Sequence, residues 1–219
     1  MNVQSKQDFV IMLHMENITK TFAGKRLFSS YSLKLRHGEK VLLQGASGCG
    51  KSTLLKMILG FEVPDTGEIF IDGDLLTGQS VWELRRKMSY VPQEPELEPG
   101  TCFDFLQSCL RFSANAGVQG GISRVPDLLK AFGLADDLLT QRTEKLSGGE
   151  KQRLTMIAAV MLERPLILMD EPSSALDPDS RRRAIDFFVS HKSMTILAVS
   201  HDHDWEGMSD RVEIIGDGG

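Results

Sequence analysis

Residues 41–52 read VLLQGASGCGKS and contain the most specific pattern in the chain. An apolar run, residues 41–43, leads into a turn from Gly45 to Ser52 that fits G-x-x-x-x-G-K-[ST]. Glycines allow backbone N–H groups to turn inward around phosphate oxygens. The apolar helix expected at residues 54–59 would point its positive end at the same anion. The stretch therefore predicts a strand, a phosphate-binding loop and a helix, in that order.

The side chains of this loop have separate predicted tasks. In a loop of this pattern, Lys51 reaches the β- and γ-phosphates of a nucleotide, and the hydroxyl of Ser52 binds Mg²⁺. A chance match is expected in on the order of one chain in a hundred of this length, and here the required strand and helix flank the loop. Cys49 is interpreted as a small residue rather than a redox centre. The residues expected to bind the nucleotide are Gly45, Ala46, Ser47, Gly48, Cys49, Gly50, Lys51, Ser52 and Thr53.

Length, charge and cysteine content limit the possible classes. A chain of 219 residues suits one domain with a small insertion, and its net charge of −5 gives no electrostatic footprint for nucleic acid, so no nucleic-acid partner is expected. Three cysteines do not suggest a disulfide framework and favour a reducing compartment. No apolar run reaches the ~18–20 residues that span a bilayer, and the first residues lack a secretory pattern. Any membrane role is therefore expected to come through a partner.

Short apolar runs alternate with helical patterns along the chain. Such runs are typical of strands buried on both faces of a parallel sheet. After Gly149, apolar residues at i, i+3, i+4, i+7 and i+8 predict a helix with one apolar face. The alternation at residues 31–35 favours an added antiparallel portion, and Asp72-Gly73 predicts a hairpin turn. The predicted strands are residues 10–13, 41–43, 69–71, 88–91, 166–169, 195–199 and 212–215.

The segment 93–142 has a different character from the rest. Two prolines and a glycine-rich patch at residues 117–121 interrupt it, and helical patterns occur at residues 102–112 and 125–132. We therefore expect one domain over residues 1–219. Its core should comprise about residues 10–92 and 143–216, with a helical subdomain at about 93–142.

Residues 166–171, LILMDE, form an apolar run that ends in two carboxylates. Neighbouring residues of a strand point in opposite directions, so the two can have different tasks. Asp170 suits Mg²⁺, through water, and Glu171 suits the polarisation of an attacking water as general base. Acidic residues often follow strands without any such chemistry, and it is the phosphate loop that favours the catalytic interpretation.

Residues 146–150, LSGGE, which we call the signature segment, precede the helix after Gly149. Ser147 and Glu150 match a capping box, which accounts for those two residues. Gly148 and Gly149 would each cost up to ~1 kcal/mol relative to alanine inside a helix, so they indicate that something approaches the backbone, and an anion is the natural candidate. A second anion site makes sense if two chains meet head to tail and each offers its helix start to the other's γ-phosphate.

The signature segment resembles that of the ABC ATPases, and the resemblance extends in the family's order over nearly the whole chain. It implies an α/β fold: a P-loop NTPase core of the ABC type, with a mainly parallel sheet, an antiparallel β portion and a helical subdomain. It implies ATP and Mg²⁺ as cofactors and hydrolysis by in-line attack of water. It also implies two partners, a second copy of the chain and an integral membrane permease, at the cytoplasmic face of the cell membrane.

The resemblance implies roles for four more residues. Phe22 stands where the family places an aromatic ring on adenine, many members having tyrosine there, although an ordinary core phenylalanine is the alternative. Gln93 resembles the glutamine that senses Mg²⁺ and the attacking water. Asp177 resembles the key acid of the loop that crosses the dimer, and His201 resembles the histidine that contacts the γ-phosphate.

Four of the predicted site residues follow the ends of apolar runs. They are Gly45, Gln93, Asp170 and His201. In open parallel sheets, ligands bind beyond the carboxyl ends of the strands. The sequence therefore predicts that these residues meet at one edge of the sheet.

Two other classes of function are weighed against a transporter subunit. One is a non-transport ABC ATPase, but repair-type relatives carry a long coiled coil and translation-type relatives usually carry two tandem domains, and this sequence shows neither. The other is a P-loop kinase or GTPase. The signature segment and His201 argue against that class, and no N-K-x-D stretch specifies guanine.

Overall fold

The computed structural model describes residues 10–112, 115, 118 and 121–216. Two segments discussed in the sequence analysis lie outside this part of the chain. They are residues 1–9, for which no secretory pattern was found, and most of the glycine-rich patch at 117–121. The strands are β1 (Ile11–Phe22), β2 (Lys25–Arg36), β3 (Lys40–Gln44), β4 (Thr66–Ile71), β5 (Asp74–Leu75), β6 (Met88–Val91), β7 (Leu166–Asp170), β8 (Thr195–Val199) and β9 (Arg211–Ile214). The α-helices are α1 (Lys51–Ile58), α2 (Val81–Arg85), α3 (Cys102–Arg111), α4 (Val125–Ala131), α5 (Gly148–Met161) and α6 (Pro178–Ser190). Within the described residues, none of the helices combines the length and apolarity that a bilayer crossing needs.

The larger sheet is parallel throughout and has the order β6-β7-β8-β3-β9. Every residue of β3, β7 and β8 is buried, as expected for strands covered on both faces. Within β3, Leu42 faces one apolar cluster, while Val41 and Leu43 face the other. The parallel direction brings the carboxyl ends of all five strands to the same edge.

The smaller sheet is antiparallel and has the order β2-β1-β4-β5. It packs with α1 on one face of the parallel sheet. The predicted hairpin is confirmed: Asp72 and Gly73 both have positive φ, 52° and 84°, between β4 and β5. Strand β1 is much longer than the predicted residues 10–13. Its polar second half pairs with β2 through several register shifts, and such irregular pairing leaves no clean alternation in the sequence.

The second half of helix α5 is buried on every side, so the prediction of a helix with a single apolar face is wrong. All residues from Leu154 to Met161 are buried. One side of the helix packs towards the parallel sheet, and α3 and α4 cover another side. The helices of segment 93–142 therefore share one apolar cluster with α5, β7 and α6.

Candidate active site

The loops after β3, β6, β7 and β8 surround a cavity of about 520 Å³ at the carboxyl edge of the parallel sheet. These four strands are neighbours in the sheet, which is why residues far apart in the chain meet there. The predicted site residues on the cavity wall are Phe22, Gly45, Ser47, Gly48, Gly50, Lys51, Ser52, Thr53, Gln93, Glu171 and His201. The structure thus brings together most of the residues that the sequence places at this edge.

The glycine-rich loop has a backbone that other residues would not tolerate. Gly48 and Gly50 have φ of 76° and 108°, in the left-handed region that favours glycine. A Cβ on Gly45 would lie 2.5 Å from the carbonyl oxygen of Ile215 and 2.8 Å from Sγ of Cys49. Cys49 itself is buried inside the loop, which matches its interpretation as a small packing residue. The loop can therefore curve tightly enough to direct its N–H groups towards the cavity.

Lys51 begins helix α1 and is almost fully buried. Its ammonium donates hydrogen bonds to the carbonyl oxygens of Gly45, at 2.8 Å, and Ala46, at 3.1 Å. The N-cap residue is Gly50, so no side chain satisfies the first amides of the helix, and these remain available to an anion. Lys25 is a second cation at the loop, and it was not predicted from the sequence. Its ammonium donates a hydrogen bond to the carbonyl oxygen of Gly48 at 3.3 Å.

Asp170 is a buried carboxylate that faces the phosphate loop. Its Oδ1 accepts a hydrogen bond from the Ser52 hydroxyl at 3.1 Å, and its Oδ2 accepts one from Tyr90 at 3.4 Å. Burial raises the pKa of Asp170 most, the charge of Glu171 raises it further, and the bonds from Ser52 and Tyr90 lower it. Burial also raises the pKa of Tyr90 to about 12, so its hydroxyl stays protonated and donates. Tyr90 was not predicted from the sequence, because its contact with Asp170 depends on the pairing of β6 with β7.

The oxygen atoms at this point fit a magnesium site. Mg²⁺ prefers oxygen ligands, and nucleotide sites supply it with one or two carboxylates, phosphates and water. The hydroxyl of Ser52, the carboxylate of Asp170 and the amide oxygen of Gln93 are ligands of this kind. Among the described residues, no group of three or more His, Cys, Asp and Glu side chains forms a metal cluster. A site completed by phosphate and water does not need one.

Glu171 and His201 form a pair at the cavity wall. Nδ1 of His201 lies 2.8 Å from Oε2 of Glu171, and the His201 backbone N–H donates to the same oxygen at 3.3 Å. Glu171 has φ of 44°, unusual for a non-glycine residue, and its own N–H donates to the Val199 carbonyl at 2.8 Å, which extends the pairing of β7 with β8. The Glu171 side chain is 12% exposed and that of His201 is 75% exposed. The carboxylate is thus fixed in place while the imidazole remains accessible.

Phe22 and Gln93 both line the cavity, Phe22 at the end of β1 and Gln93 after β6. The Phe22 residue is 53% exposed, which excludes the alternative that it is an ordinary core phenylalanine. The carbonyl oxygen of Gln93 accepts a hydrogen bond from the Ser174 hydroxyl at 3.3 Å. Both residues therefore have side chains that can meet a ligand in the cavity.

The signature segment starts α5 with the predicted capping box. The Ser147 hydroxyl accepts from the Glu150 N–H at 3.3 Å, and the Glu150 carboxylate accepts from the Ser147 N–H at 2.9 Å. A Cβ on Gly149 would lie 2.9 Å from the carbonyl oxygen of Ala175, so the close approach predicted for this glycine comes from the same chain. A Cβ on Gly148 would meet only the Ala175 Cβ, at 3.4 Å. Packing within the chain thus accounts for Gly149 but not for Gly148, and an anion contact at Gly148 remains a prediction.

The signature segment and Asp177 do not line the cavity of their own chain. Asp177 caps α6, where its carboxylate accepts hydrogen bonds from the Ser180 N–H at 2.9 Å and the Ser180 hydroxyl at 2.6 Å. These bonds lower the pKa of Asp177. The structure therefore divides the predicted site residues into two groups. The first lines the cavity or, like Ala46, Cys49 and Asp170, belongs to or contacts the phosphate loop, and the second, the signature segment with Asp177, does not line the cavity.

The two glycines of the signature segment should respond differently to alanine. Gly149→Ala should lower the free energy of unfolding by about 1–3 kcal/mol, because the new methyl group overpacks against the Ala175 carbonyl. Gly148→Ala is the matched control one residue earlier. It should be neutral or stabilising by up to ~1 kcal/mol, since alanine favours the helix. Urea unfolding of the two variants measures the difference, and equal stabilities would contradict the packing explanation for Gly149.

Comparisons with known families agree with this arrangement. A family model described as ABC transporter matches residues 28–174. The choline transport ATP-binding protein OpuBA of Bacillus subtilis (strain 168) is 37% identical over 211 residues, which cover 93% of this chain and 55% of the relative. The energy-coupling factor transporter ATP-binding protein EcfA1 of Ligilactobacillus salivarius (strain UCC118) is 30% identical, with 94% and 75% covered. The chain thus spans little more than half of the first of these relatives.

Solved structures give the same result for the fold. A dimeric ATP-binding cassette in a post-hydrolysis state, bound to ADP and Pi, has a TM-score of 0.84 and 28% identity, with 94% of this chain and 95% of that chain covered. The ATP-binding subunit of an ABC transporter has a TM-score of 0.85 and 28% identity, with 94% and 87% covered. The parallel and antiparallel sheets and the helices described above therefore recur in these cassettes.

Proposed function

The chain belongs to the ABC transporter family, and on this premise we propose that it is the ATP-binding and ATP-hydrolysing subunit of such a transporter. The observation that carries the proposal is the meeting of four elements at one cavity: the phosphate loop, the Ser52–Asp170 pair, Gln93 and the Glu171–His201 pair. The cavity volume of about 520 Å³ lies in the range of ordinary ligand sites.

ATP binding rests on the loop and on the residues around it. The loop N–H groups and the start of α1 contact the phosphates, and Lys51 moves its ammonium from the loop carbonyls to the β- and γ-phosphates. The exposed ring of Phe22 stacks on adenine. Mg²⁺ would be held by Ser52, by Asp170 through water, and by Gln93. When bound, Mg²⁺ neutralises charge on the phosphate oxygens.

Hydrolysis rests on the Glu171–His201 pair. The carboxylate of Glu171 orients a water molecule and accepts its proton as the water oxygen attacks the γ-phosphorus. The bond from that phosphorus to the bridging oxygen breaks, and ADP and phosphate leave. His201 contacts the γ-phosphate. Most of the rate enhancement comes from positioning and from neutralisation of charge.

The second group of site residues acts on a second copy of the chain. Ser147, Gly148 and Gly149 contact the γ-phosphate bound by the partner, and Asp177 lies at the same contact. ATP then closes a head-to-tail dimer, and hydrolysis releases it. The separation of these residues from their own cavity supports this assignment, as does the similarity to a dimeric cassette.

Coupling to transport requires a membrane partner. We assign residues 1–219 to one domain in which the segment 93–142, a helical subdomain, contacts an integral permease at the cytoplasmic face of the membrane. The relatives are named as transport proteins, which supports transport over a repair or translation role. No nucleic-acid partner is proposed.

Ser147→Arg should leave ATP binding by the monomer within about 3-fold of the original and should prevent ATP-dependent dimers, because an arginine side chain would fill the contact at the partner's nucleotide. The control Ser147→Ala also removes the helix cap, worth ~1 kcal/mol, but adds no bulk. It should retain dimers at saturating ATP. Light scattering with ATP and Mg²⁺ measures both variants. Ser147→Arg dimers that form as readily as those of the unsubstituted protein would exclude the head-to-tail arrangement.

A further inference from the structure

One fully buried side chain links helix α5 to the loop that carries Gln93. Gln152 lies five residues after Ser147 and is 0% exposed. Its Nε2 donates a hydrogen bond to the carbonyl oxygen of Pro92 at 3.1 Å. Pro92 comes directly before Gln93, which lines the nucleotide cavity. The start of α5 and the cavity wall are therefore joined by a single amide group.

The other end of that amide group has no partner. Oε1 of Gln152 is buried and accepts no hydrogen bond from the described residues. A buried acceptor without a donor destabilises a fold, and an apolar side chain of the same shape would avoid this cost. The residues that follow in α5, from Leu154 to Met161, are also buried, and all of them except Thr155 are apolar. Space filling alone therefore does not explain a glutamine at this position.

The Gln93 loop (residues 92–94) is also held from its other side. The Ser174 hydroxyl donates to the Gln93 carbonyl at 3.3 Å, and the Ser174 N–H donates to the Glu171 carbonyl at 3.1 Å. The next residue, Ala175, lies against Gly149 at the start of α5. The Gln93 loop, the loop after Glu171 and the first turns of α5 thus form a closed ring of contacts.

We propose that Gln152 is a positioning residue that couples the nucleotide cavity of a chain to the signature segment of the same chain. Movement of the Gln93 loop on nucleotide binding would be transmitted through the Nε2–Pro92 bond to the start of α5. The free Oε1 is the acceptor for a backbone N–H of the loop in its displaced position. This inference rests on the proposed function, because the signature segment acts on the nucleotide of the partner chain.

Such a link makes the two sites of a dimer dependent on each other. Gln152→Met retains the size of the side chain and removes both the donor and the acceptor. We expect the ATP affinity of the monomer to remain unchanged. The thermal unfolding temperature should not fall, because removal of the unpaired Oε1 offsets the loss of the bond to Pro92. The Hill coefficient for ATP hydrolysis should fall to about 1, and kcat should fall by about 2- to 30-fold. Replacement of a residue with a merely structural role would lower the unfolding temperature and leave the Hill coefficient as it is.

Two further variants complete the test. Ser174→Ala removes the bond on the other side of the Gln93 loop at an exposed residue, so it should fold even if Gln152→Met does not, and it should lower the Hill coefficient in the same direction. Gln79→Met makes the same substitution at an exposed turn far along the chain and should change nothing.

The outcomes separate the inference from the proposed function. If the unsubstituted protein neither binds nor hydrolyses ATP, the proposed function fails. If it hydrolyses ATP cooperatively and both Gln152→Met and Ser174→Ala retain that cooperativity, the link is overturned and the proposed function stands. A Hill coefficient of 1 in the unsubstituted dimer would also overturn the link.

Discussion

Glu171→Gln should lower kcat for ATP hydrolysis by about 10²- to 10⁴-fold, the usual contribution of a general base, with ATP still bound. The amide has the shape of the carboxylate and can still accept the hydrogen bond from the His201 backbone N–H, so the cavity should not collapse. It cannot accept the proton of the attacking water. Steady-state hydrolysis and equilibrium binding of ATP, each with Mg²⁺, measure the two quantities separately.

A second glutamate–histidine pair provides the matched control. Nδ1 of His203 lies 2.6 Å from Oε1 of Glu206 in a 3₁₀ helix, both residues are exposed, and neither lines the cavity. Glu206→Gln removes the same type of charge and should leave kcat within about 2-fold, since exposed pairs contribute little. A Glu171→Gln variant that hydrolyses ATP as fast as the Glu206→Gln control would show that Glu171 is not the base.

Lys51→Ala should weaken ATP binding on the order of 100-fold or more, because each hydrogen bond to a charged phosphate is worth ~1.5–3 kcal/mol and the ammonium reaches two phosphates. The variant also leaves the carbonyl oxygens of Gly45 and Ala46 without their donor. Calorimetric titration with Mg-ATP measures the dissociation constant.

Lys25→Ala is the control for this change, because Lys25 contacts the same loop from an exposed position through the Gly48 carbonyl. Screening by solvent limits the contribution of Lys25, so we expect the affinity for ATP to fall by at most about 5-fold. If Lys51→Ala bound ATP with nearly the original affinity, the assignment of Lys51 to the phosphates would be wrong.

The sequence was sufficient to predict the parallel sheet and the edge at which the site forms. Strands β6 and β8 begin and end at the predicted residues. Buried parallel strands are short apolar runs, and Pro92 and Ser200 mark where two of them stop. Because all such strands point the same way, residues just beyond them, such as Gln93 and His201, are placed at one edge before the strand order is known.

Contacts between distant segments were not predictable in this way. Nothing near Gly149 in the chain indicates that Ala175 packs against it, and nothing near Gln152 indicates Pro92. The complete burial of the second half of α5 could have been recognised from the sequence, because residues 154–161 contain a single polar side chain, Thr155. A helix that is apolar on all sides is buried in the core. The i, i+3, i+4 spacing considers only one face of the helix and therefore does not reveal this.

The central claim, that ATP joins two copies of this chain, is tested most directly by the mass of Glu171→Gln in solution with and without ATP and Mg²⁺. We expect the monomer mass of 24.3 kDa without nucleotide and twice that mass when ATP and Mg²⁺ are both present. ADP should not produce the shift. A variant that binds ATP but remains at the monomer mass would contradict the account.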